Sequence, residues 1–298
     1  MSQKRIIVIV GPTGIGKTDL SIKLAQHLKT EIISFDSRQF FKELKIGTAP
    51  PCEDKLKLIQ HHFIHNITIN DEYNVGLYEK DAIKKINELH KKYDDIILVG
   101  GSGLYIKAIV EGIDYIPNIP KKIRTAIQKK YEEKGLQWLQ NKVKEIDSKF
   151  YSNCDTKNPR RLIRALEVYT HSKVQLSSFH KKKKKDRSFK TLKIGLKTNR
   201  EFLYKKLEIR VDNMIKNGLV KEVISLSKYQ NKNALKTVGY KEIFDFQKNE
   251  CTLEEAINRI KINSKRYAKR QITWFNSDKS INWFYIDEIE KIKKFIEL

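Results

Sequence analysis

The sequence predicts an α/β fold, a P-loop parallel-sheet core with a helical insertion domain, in a chain of 298 residues. Three observations carry that expectation. The apolar run Ile6–Val10 leads into Gly11-Pro12-Thr13-Gly14-Ile15-Gly16-Lys17-Thr18, which fits the phosphate-binding pattern G-x-x-x-x-G-K-[ST] at every fixed position, and Leu20, Leu24 and Leu28 then repeat with a helical period. Strand and helix signals alternate through the first part of the chain, as a parallel sheet with crossover helices requires. Between about residues 115 and 190 strand signals stop and basic amphipathic helices take over, until Thr191–Leu196 reads as a return to the sheet.

Taken in order, Glu31–Phe35 is a short strand that runs into Asp36-Ser37-Arg38-Gln39, and Ile96–Val99 is a third strand ending in Gly100-Gly101-Ser102-Gly103. Ligands in open parallel sheets collect outside the carboxyl ends of the strands. The phosphate loop, Asp36 and Ser102 are therefore expected to converge. Pro117 and Pro120 interrupt the chain ahead of a helix around Ile123–Tyr131, and Lys181–Lys185 reads as a solvated charge run. The last third is helical over Glu201–Lys216, Val220–Lys228 and Leu253–Phe275, and no internal repeat is present. Residues 1–118 and 190–298 are expected to form the catalytic core with C-terminal helices, and residues 119–189 the helical insertion.

Charge narrows the partner. Sixty Lys and Arg stand against 36 Asp and Glu, a net +24, and residues 121–190 alone hold 21 basic against 7 acidic residues, a net +14. Such a concentration points to a polyanion, nucleic acid first and a membrane surface second. Cys52, Cys154 and Cys251 have no zinc-ligand spacing, and unpaired cysteines fit a reducing, cytoplasmic setting. The apolar run after Lys4 and Arg5 is too short for a secretory signal, and no stretch has the length of a membrane span. Adjacent His61 and His62 point to different faces and suit packing or hydrogen bonding better than metal.

Several side chains could carry chemistry. The loop glycines and the following helix N-terminus turn N–H groups toward a phosphate chain, Lys17 adds a full charge, and the Thr18 hydroxyl can hold Mg²⁺. Asp36 reads either as a general base or Mg²⁺ ligand facing that site, or as a turn and cap residue. Ser102 lies in a turn that can bring backbone and hydroxyl against a ligand, or be only a tight turn. No carboxylate stands at the carboxyl end of its strand, since Asp94 and Asp95 lie at the start; this weakens ordinary ATP hydrolysis, although the loop alone reads as a nucleotide- or ATP-binding site. Arg160, Arg161 and Arg164 share one helical surface, either on phosphates or in solvent. Arg266, Lys269 and Arg270 form a cationic face interleaved with Tyr267 and Trp274, suited to RNA or a diphosphate, with Trp274 and Phe275 expected to pack inward.

Over nearly its whole length the chain resembles the bacterial-type tRNA dimethylallyltransferases (tRNA isopentenyltransferases). The likeness rests on Gly11–Thr18, on Glu31–Ser37, on Ile46-Gly47-Thr48-Ala49, and on Gly100-Gly101-Ser102-Gly103-Leu104-Tyr105. It continues through Arg161-Leu162-Ile163-Arg164-Ala165-Leu166-Glu167-Val168, Arg210–Met214, Val238-Gly239-Tyr240-Lys241-Glu242 and Tyr267–Phe275. The resemblance implies transfer of a dimethylallyl group from dimethylallyl diphosphate to N6 of the adenine immediately 3′ of the anticodon in tRNA. Asp36 would then be the base and Ser102 would stand near the reacting carbon. Gly11, Thr13, Gly14, Ile15, Gly16, Lys17, Thr18 and Arg210 would bind the diphosphate, with Mg²⁺ on Thr18. The anticodon stem-loop would meet Asp36, Ser37, Arg38, Gln39 and Ser102, then Arg124, Arg160, Arg161, Leu162, Ile163 and Arg164, and finally Lys236, Thr237, Val238, Gly239, Tyr240 and Lys241. A cytoplasmic monomer that does not engage membranes is implied. Two departures stand out: Arg160 replaces a neutral amide and Pro50 replaces a lysine of the family pattern. The competing activity is a P-loop kinase acting on a nucleotide or an RNA end; prenylation of free AMP or ATP and non-enzymatic RNA binding are the remaining alternatives.

Overall fold

The computed structural model describes residues 3–180 and 184–297, so Lys181–Lys183 of the lysine run lie outside the described residues. Two compact units emerge, one formed by residues 1–111 with 186–298 and the other by residues 112–185.

The first unit is built on a sheet of parallel strands: β1 (Arg5–Val10), β2 (Ile32–Ser34), β3 (His61–His62), β4 (Asp95–Val99), β5 (Lys190–Lys197) and β6 (Ile281–Tyr285). Their spatial order is β3-β2-β4-β1-β5-β6. β1 is central, with Ile6 opposite Ile96 of β4 and Thr191 of β5. Its continuous apolar sequence follows from that place, because a parallel sheet covered on both faces has no solvated side. Ile6, Val8 and Val10 face one apolar layer with Tyr78, Ala82 and Ile86 of α3 (Val75–Leu89) and Ile106 and Ile109 of α4 (Gly103–Glu111). Ile7 and Ile9 face the other, with Leu20, Leu24 and Ala25 of α1 (Lys17–His27), Leu203 and Leu207 of α9 (Arg200–Lys216), and Ile292 and Ile296 of α13 (Ile289–Glu297). A third apolar cluster joins α9, α10 (Leu219–Ser225), α11 (Tyr240–Gln247) and the first turns of α12 (Leu253–Asn276) to Phe41, Leu44 and Ile69. The short helix α2 is Glu53–Leu58.

The second unit holds α5 (Lys121–Ile146), α6 (Ser148–Asn153), α7 (Pro159–Ser172) and α8 (Leu176–Phe179). Gly135, at φ 72°, breaks α5 within its length. Leu139, Val143, Leu162, Ala165 and Val168 make its core. Residues 186–189 belong with the sheet unit for a physical reason: Phe189 is buried in its core, and Arg187 Nη2 donates to Glu79 Oε1 at 2.7 Å and to the Ala108 carbonyl at 2.8 Å, tying α3 to α4.

The strands differ from the sequence expectation in two places. β6 is an edge strand beside β5 that the expectation lacked, because Ile281–Tyr285 has only Ile281 fully buried and carries no run of the β1 kind. β3 is two histidines long, held in register by Ile32 and Ile33, and the pattern of side chains there gives no strand signal. No helix among the described residues is long and apolar enough to cross a membrane.

Arg187→Met withdraws a guanidinium from a carboxylate that stays buried. We expect it to destabilise the sheet unit by about 3–5 kcal/mol, read as a lowered thermal or denaturant midpoint.

Candidate active site

The site forms where β1, β2 and β4 end. After Val10 the loop takes backbone conformations that side chains resist: Gly16 sits at φ 110°, and a Cβ there would run into Ile286. The helix that follows directs its first N–H groups and the positive end of its dipole into the loop. Lys17 folds back over it, its Nζ donating to the carbonyls of Gly11 at 2.9 Å and Pro12 at 2.8 Å.

Electrostatics joins three side chains from three elements. Burial pushes the Lys17 ammonium down to about 7; Asp36 opposes the shift and Arg210, from α9, adds to it. Arg210 is likewise lowered by burial and supported by Asp36. The guanidinium reaches the Thr48 carbonyl at 3.5 Å. Two half-buried cations with a single carboxylate to offset their charge is an arrangement that a polyanion would complete.

Asp36 is a turn residue as well as a charge facing the loop. Its Oδ1 accepts the Arg38 N–H at 3.0 Å and its carbonyl accepts that of Gln39 at 3.2 Å. Next to it, the Ser37 N–H donates to Ser102 Oγ at 3.0 Å, and that hydroxyl donates to Ser37 Oγ at 3.1 Å. The strand ends thus bring the loop, Asp36 and Ser102 together, as the sheet topology led us to expect. β4 itself runs into Gly100 and Gly101, with no carboxylate at its carboxyl end. Thr18 is half-buried at the second position of α1. A single hydroxyl with no acidic cluster around it, among the described residues, fits Mg²⁺ better than a cation that needs an all-protein cage, because Mg²⁺ takes most of its ligands from substrate phosphates and water.

Other expected residues are placed in less uniform ways. Arg38 Nη1 donates to the Asn233 carbonyl at 2.8 Å, and Gln39 Nε2 to the carbonyls of Thr48 and Ala49, both at 3.2 Å. In the segment 236–241, Lys236 and Lys241 are exposed and Thr237 and Val238 half-buried. Gly239 and Tyr240 are buried, and the Tyr240 hydroxyl donates to Glu222 Oε1 at 2.6 Å. In the helical unit Arg124, Arg160 and Arg161 are exposed, Ile163 is half-buried, and Arg164 pairs with Glu167 at 3.4 Å. Leu162 is fully buried in that unit's core, which leaves its side chain with a packing role. Arg266, Lys269 and Arg270 are exposed on α12. Phe275 packs inward as expected, whereas Trp274 is 44% exposed, its ring lying against Gly103. The backbone of α4 starts there and leaves room for the indole only because Gly103 has no side chain.

Three residues have contacts that sequence reasoning did not assign. Glu222 accepts the N–H groups of Lys45, Ile46 and Gly47 at 3.0, 2.8 and 3.1 Å, and so anchors the loop whose carbonyls hold Gln39 and Arg210. Tyr267 is raised by burial and by Asp36, which places it in the same field. Gln271 bridges Thr13 and Gly101. A signal existed for Gln271: it is the polar member of the buried stripe Ala268, Gln271 and Phe275.

The family model described as IPP transferase matches residues 39–278. The chain belongs to the IPP transferase family. A tRNA dimethylallyltransferase from Christiangramia forsetii is 52% identical, over 96% of this chain and 95% of that protein. One from Cytophaga hutchinsonii is 44% identical over 99% and 97%. Among solved structures, the tRNA isopentenylpyrophosphate transferase of Bacillus halodurans matches with a TM-score of 0.73 at 32% identity, covering 99% of this chain and 96% of that one. A eukaryotic dimethylallyltransferase acting on tRNA matches with a TM-score of 0.77 at 26% identity, over 95% of this chain and 74% of that one. An IPP transferase is a transferase, and in this one Lys17 and Arg210 bring two positive charges together beside the loop.

With its pKa pushed down to about 7, Lys17 would be mostly neutral at pH 8, and a bound polyanion would restore its charge. At pH 8 wild-type protein should take up about one proton more per bound inorganic diphosphate than Lys17→Arg, which is always charged. Calorimetry in buffers of different ionisation enthalpy measures the difference. The lysine-dependent part of the affinity should weaken as pH rises above 7.

Proposed function

We propose that the chain transfers the dimethylallyl group of dimethylallyl diphosphate to N6 of the adenine immediately 3′ of the anticodon in tRNA, giving N6-(dimethylallyl)adenosine and diphosphate. The observation that carries this reading is the meeting of a cation-rich phosphate loop with Asp36 and Ser102 at neighbouring strand ends. The names of the relatives support it.

The chemistry then divides among named groups. The N6–carbon bond forms as the carbon–oxygen bond to diphosphate breaks, and a proton leaves N6 for the Asp36 carboxylate. Charge gathers on the departing diphosphate, where the ammonium of Lys17, the guanidinium of Arg210 and the loop N–H groups meet it. Mg²⁺, held by the Thr18 hydroxyl and diphosphate oxygens, would supply further neutralisation of that leaving group. The Ser102 hydroxyl, fixed by Ser37, stands beside the carbon–nitrogen encounter. An adenine must leave its stack for its N6 to meet a half-buried carboxylate at a strand end. Arg124, Arg160, Arg161, Lys236 and Lys241 are the exposed cations suited to tRNA phosphates, which matches the basic excess of the chain. The protein would work as a monomer in the cytoplasm. A kinase would have to draw on Asp36 after β2 for its strand-end carboxylate, since β4 ends in glycines.

The deciding assay combines the protein, unmodified tRNA carrying the target adenine, dimethylallyl diphosphate and Mg²⁺, with nucleosides read by mass spectrometry. A prenyl mass gain on adenine is expected; its absence with every acceptor tRNA, or ATP-dependent phosphate transfer in its place, sinks the reading. Asp36→Ala should cut turnover by about 10²–10⁴-fold while tRNA affinity falls modestly. Affinity for tRNA should drop steeply with salt as phosphate contacts release counterions, and a flat response would contradict the role given to the exposed arginines and lysines.

A further inference from the structure

The ladder between β1 and β4 carries the two strands in register as far as Ile9 and Val99, and the Gly100 N–H still reaches the Ile9 carbonyl at 3.4 Å. Beyond that point the strands become loops, and backbone pairing no longer fixes their separation. Gln271 of α12 makes the next rung. Its Oε1 accepts the Thr13 N–H at 2.8 Å, and its Nε2 donates to the Gly101 carbonyl at 2.9 Å. The side chain is 5% exposed, and a Cβ on Gly101 would run into its Nε2. A primary amide is the neutral side chain that can donate and accept at once across such a gap.

The line of contacts continues on both sides. Thr13 belongs to the phosphate loop, and with its N–H held by Gln271 it is the anchor of that loop, leaving the amides from Gly14 onward for a diphosphate. Gly101 precedes Ser102, whose hydroxyl fixes Ser37 beside Asp36. Gln271 therefore connects the leaving-group side of the site to the side where the nucleophile is deprotonated. Ala268 and Phe275, buried on the same helix, already dock α12 on the core, so the amide is not needed to hold the helix in place.

We propose that Gln271 is a positioning residue that sets the spacing between the diphosphate loop and the Ser102–Asp36 pair. The proposal rests on the transfer reaction given above, in which a carbon must sit between those two groups. Misplacing reacting groups by one ångström costs about 10²-fold in rate. Loss of the bridge thus lowers turnover without removing any group that touches substrate.

The test compares wild type, Gln271→Met and Gln271→Glu, each alone and combined with Ser102→Ala. Met removes both hydrogen bonds; Glu keeps the acceptor for Thr13 and loses the donor to Gly101, in a side chain of the same length should Met not fold. We expect kcat to fall by about 100-fold, with KM for dimethylallyl diphosphate and for tRNA changing by less than about threefold. The combined loss with Ser102→Ala should be smaller than the product of the single losses, because both act through one link. Amide hydrogen exchange should quicken in the phosphate loop and in the Gly100–Ser102 turn together. Normal kcat in a variant that is merely less heat-stable, multiplicative losses, or exchange that changes in neither segment would each overturn the assignment. Exchange is read without turnover, so an inactive wild type would sink the transfer reaction while leaving the bridge itself tested.

Discussion

Two half-buried cations beside one carboxylate are the constraint on which this site depends. Burial disfavours the charge of both Lys17 and Arg210, and Arg210 adds to the cost at Lys17. Asp36 offsets part of that cost. Lys17 meanwhile spends its hydrogen bonds on the carbonyls of its own loop, a local arrangement that keeps the ammonium satisfied. The local excess of positive charge is what a multivalent anion would offset.

The fold supplies this arrangement through its strand order. β1 lies next to β4, and β4 next to β2, so three loops leave adjacent positions at one edge of the sheet. Short side chains there, Ser37 and Ser102, allow the loops to touch through hydroxyls. The remainder of the first unit serves the same edge from behind. Glu222 gathers three consecutive N–H groups and the Tyr240 hydroxyl, and through the Thr48 carbonyl that anchored loop faces Arg210. A carboxylate accepting several N–H bonds is a strong fixture, because each bond is charge-assisted.

How much of this was legible depends on how far apart the cooperating residues lie in sequence. The phosphate loop was fully legible, since its glycines, lysine and threonine act within eight consecutive positions. Asp36 and Ser102 were legible as strand-end residues, because the rule for parallel sheets needs only local strand signals. For Asp36 the structure shows the turn reading, and it also brings the carboxylate's charge to bear on Lys17. Gln271 and Glu222 were not legible as anchors. Each acts across more than a hundred positions, and nothing in the local pattern says which backbone groups they meet. β3 and β6 were missed for a related reason. An edge strand is stabilised by one neighbour and can be short or half-exposed, so its own composition need not announce it.

Trp274 shows where residue type misleads. Its size suggests a core residue, yet its spacing of four from Arg270 puts it on the cationic face, and the inward position on that turn belongs to Phe275. The indole instead lies against Gly103, immediately after Ser102, with much of its surface in water. An aromatic left half-exposed costs hydrophobic burial worth of order 1 kcal/mol or more. Here it is placed on the same helical face as the exposed Arg266 and Arg270 and beside the turn that carries Ser102. A flat π-face next to positive charge is what an unstacked base meets favourably. The departure of Trp274 from the core fits the rest of this helix: its inner stripe bonds to Thr13 and Gly101 through Gln271, and its outer face carries Arg266, Lys269 and Arg270.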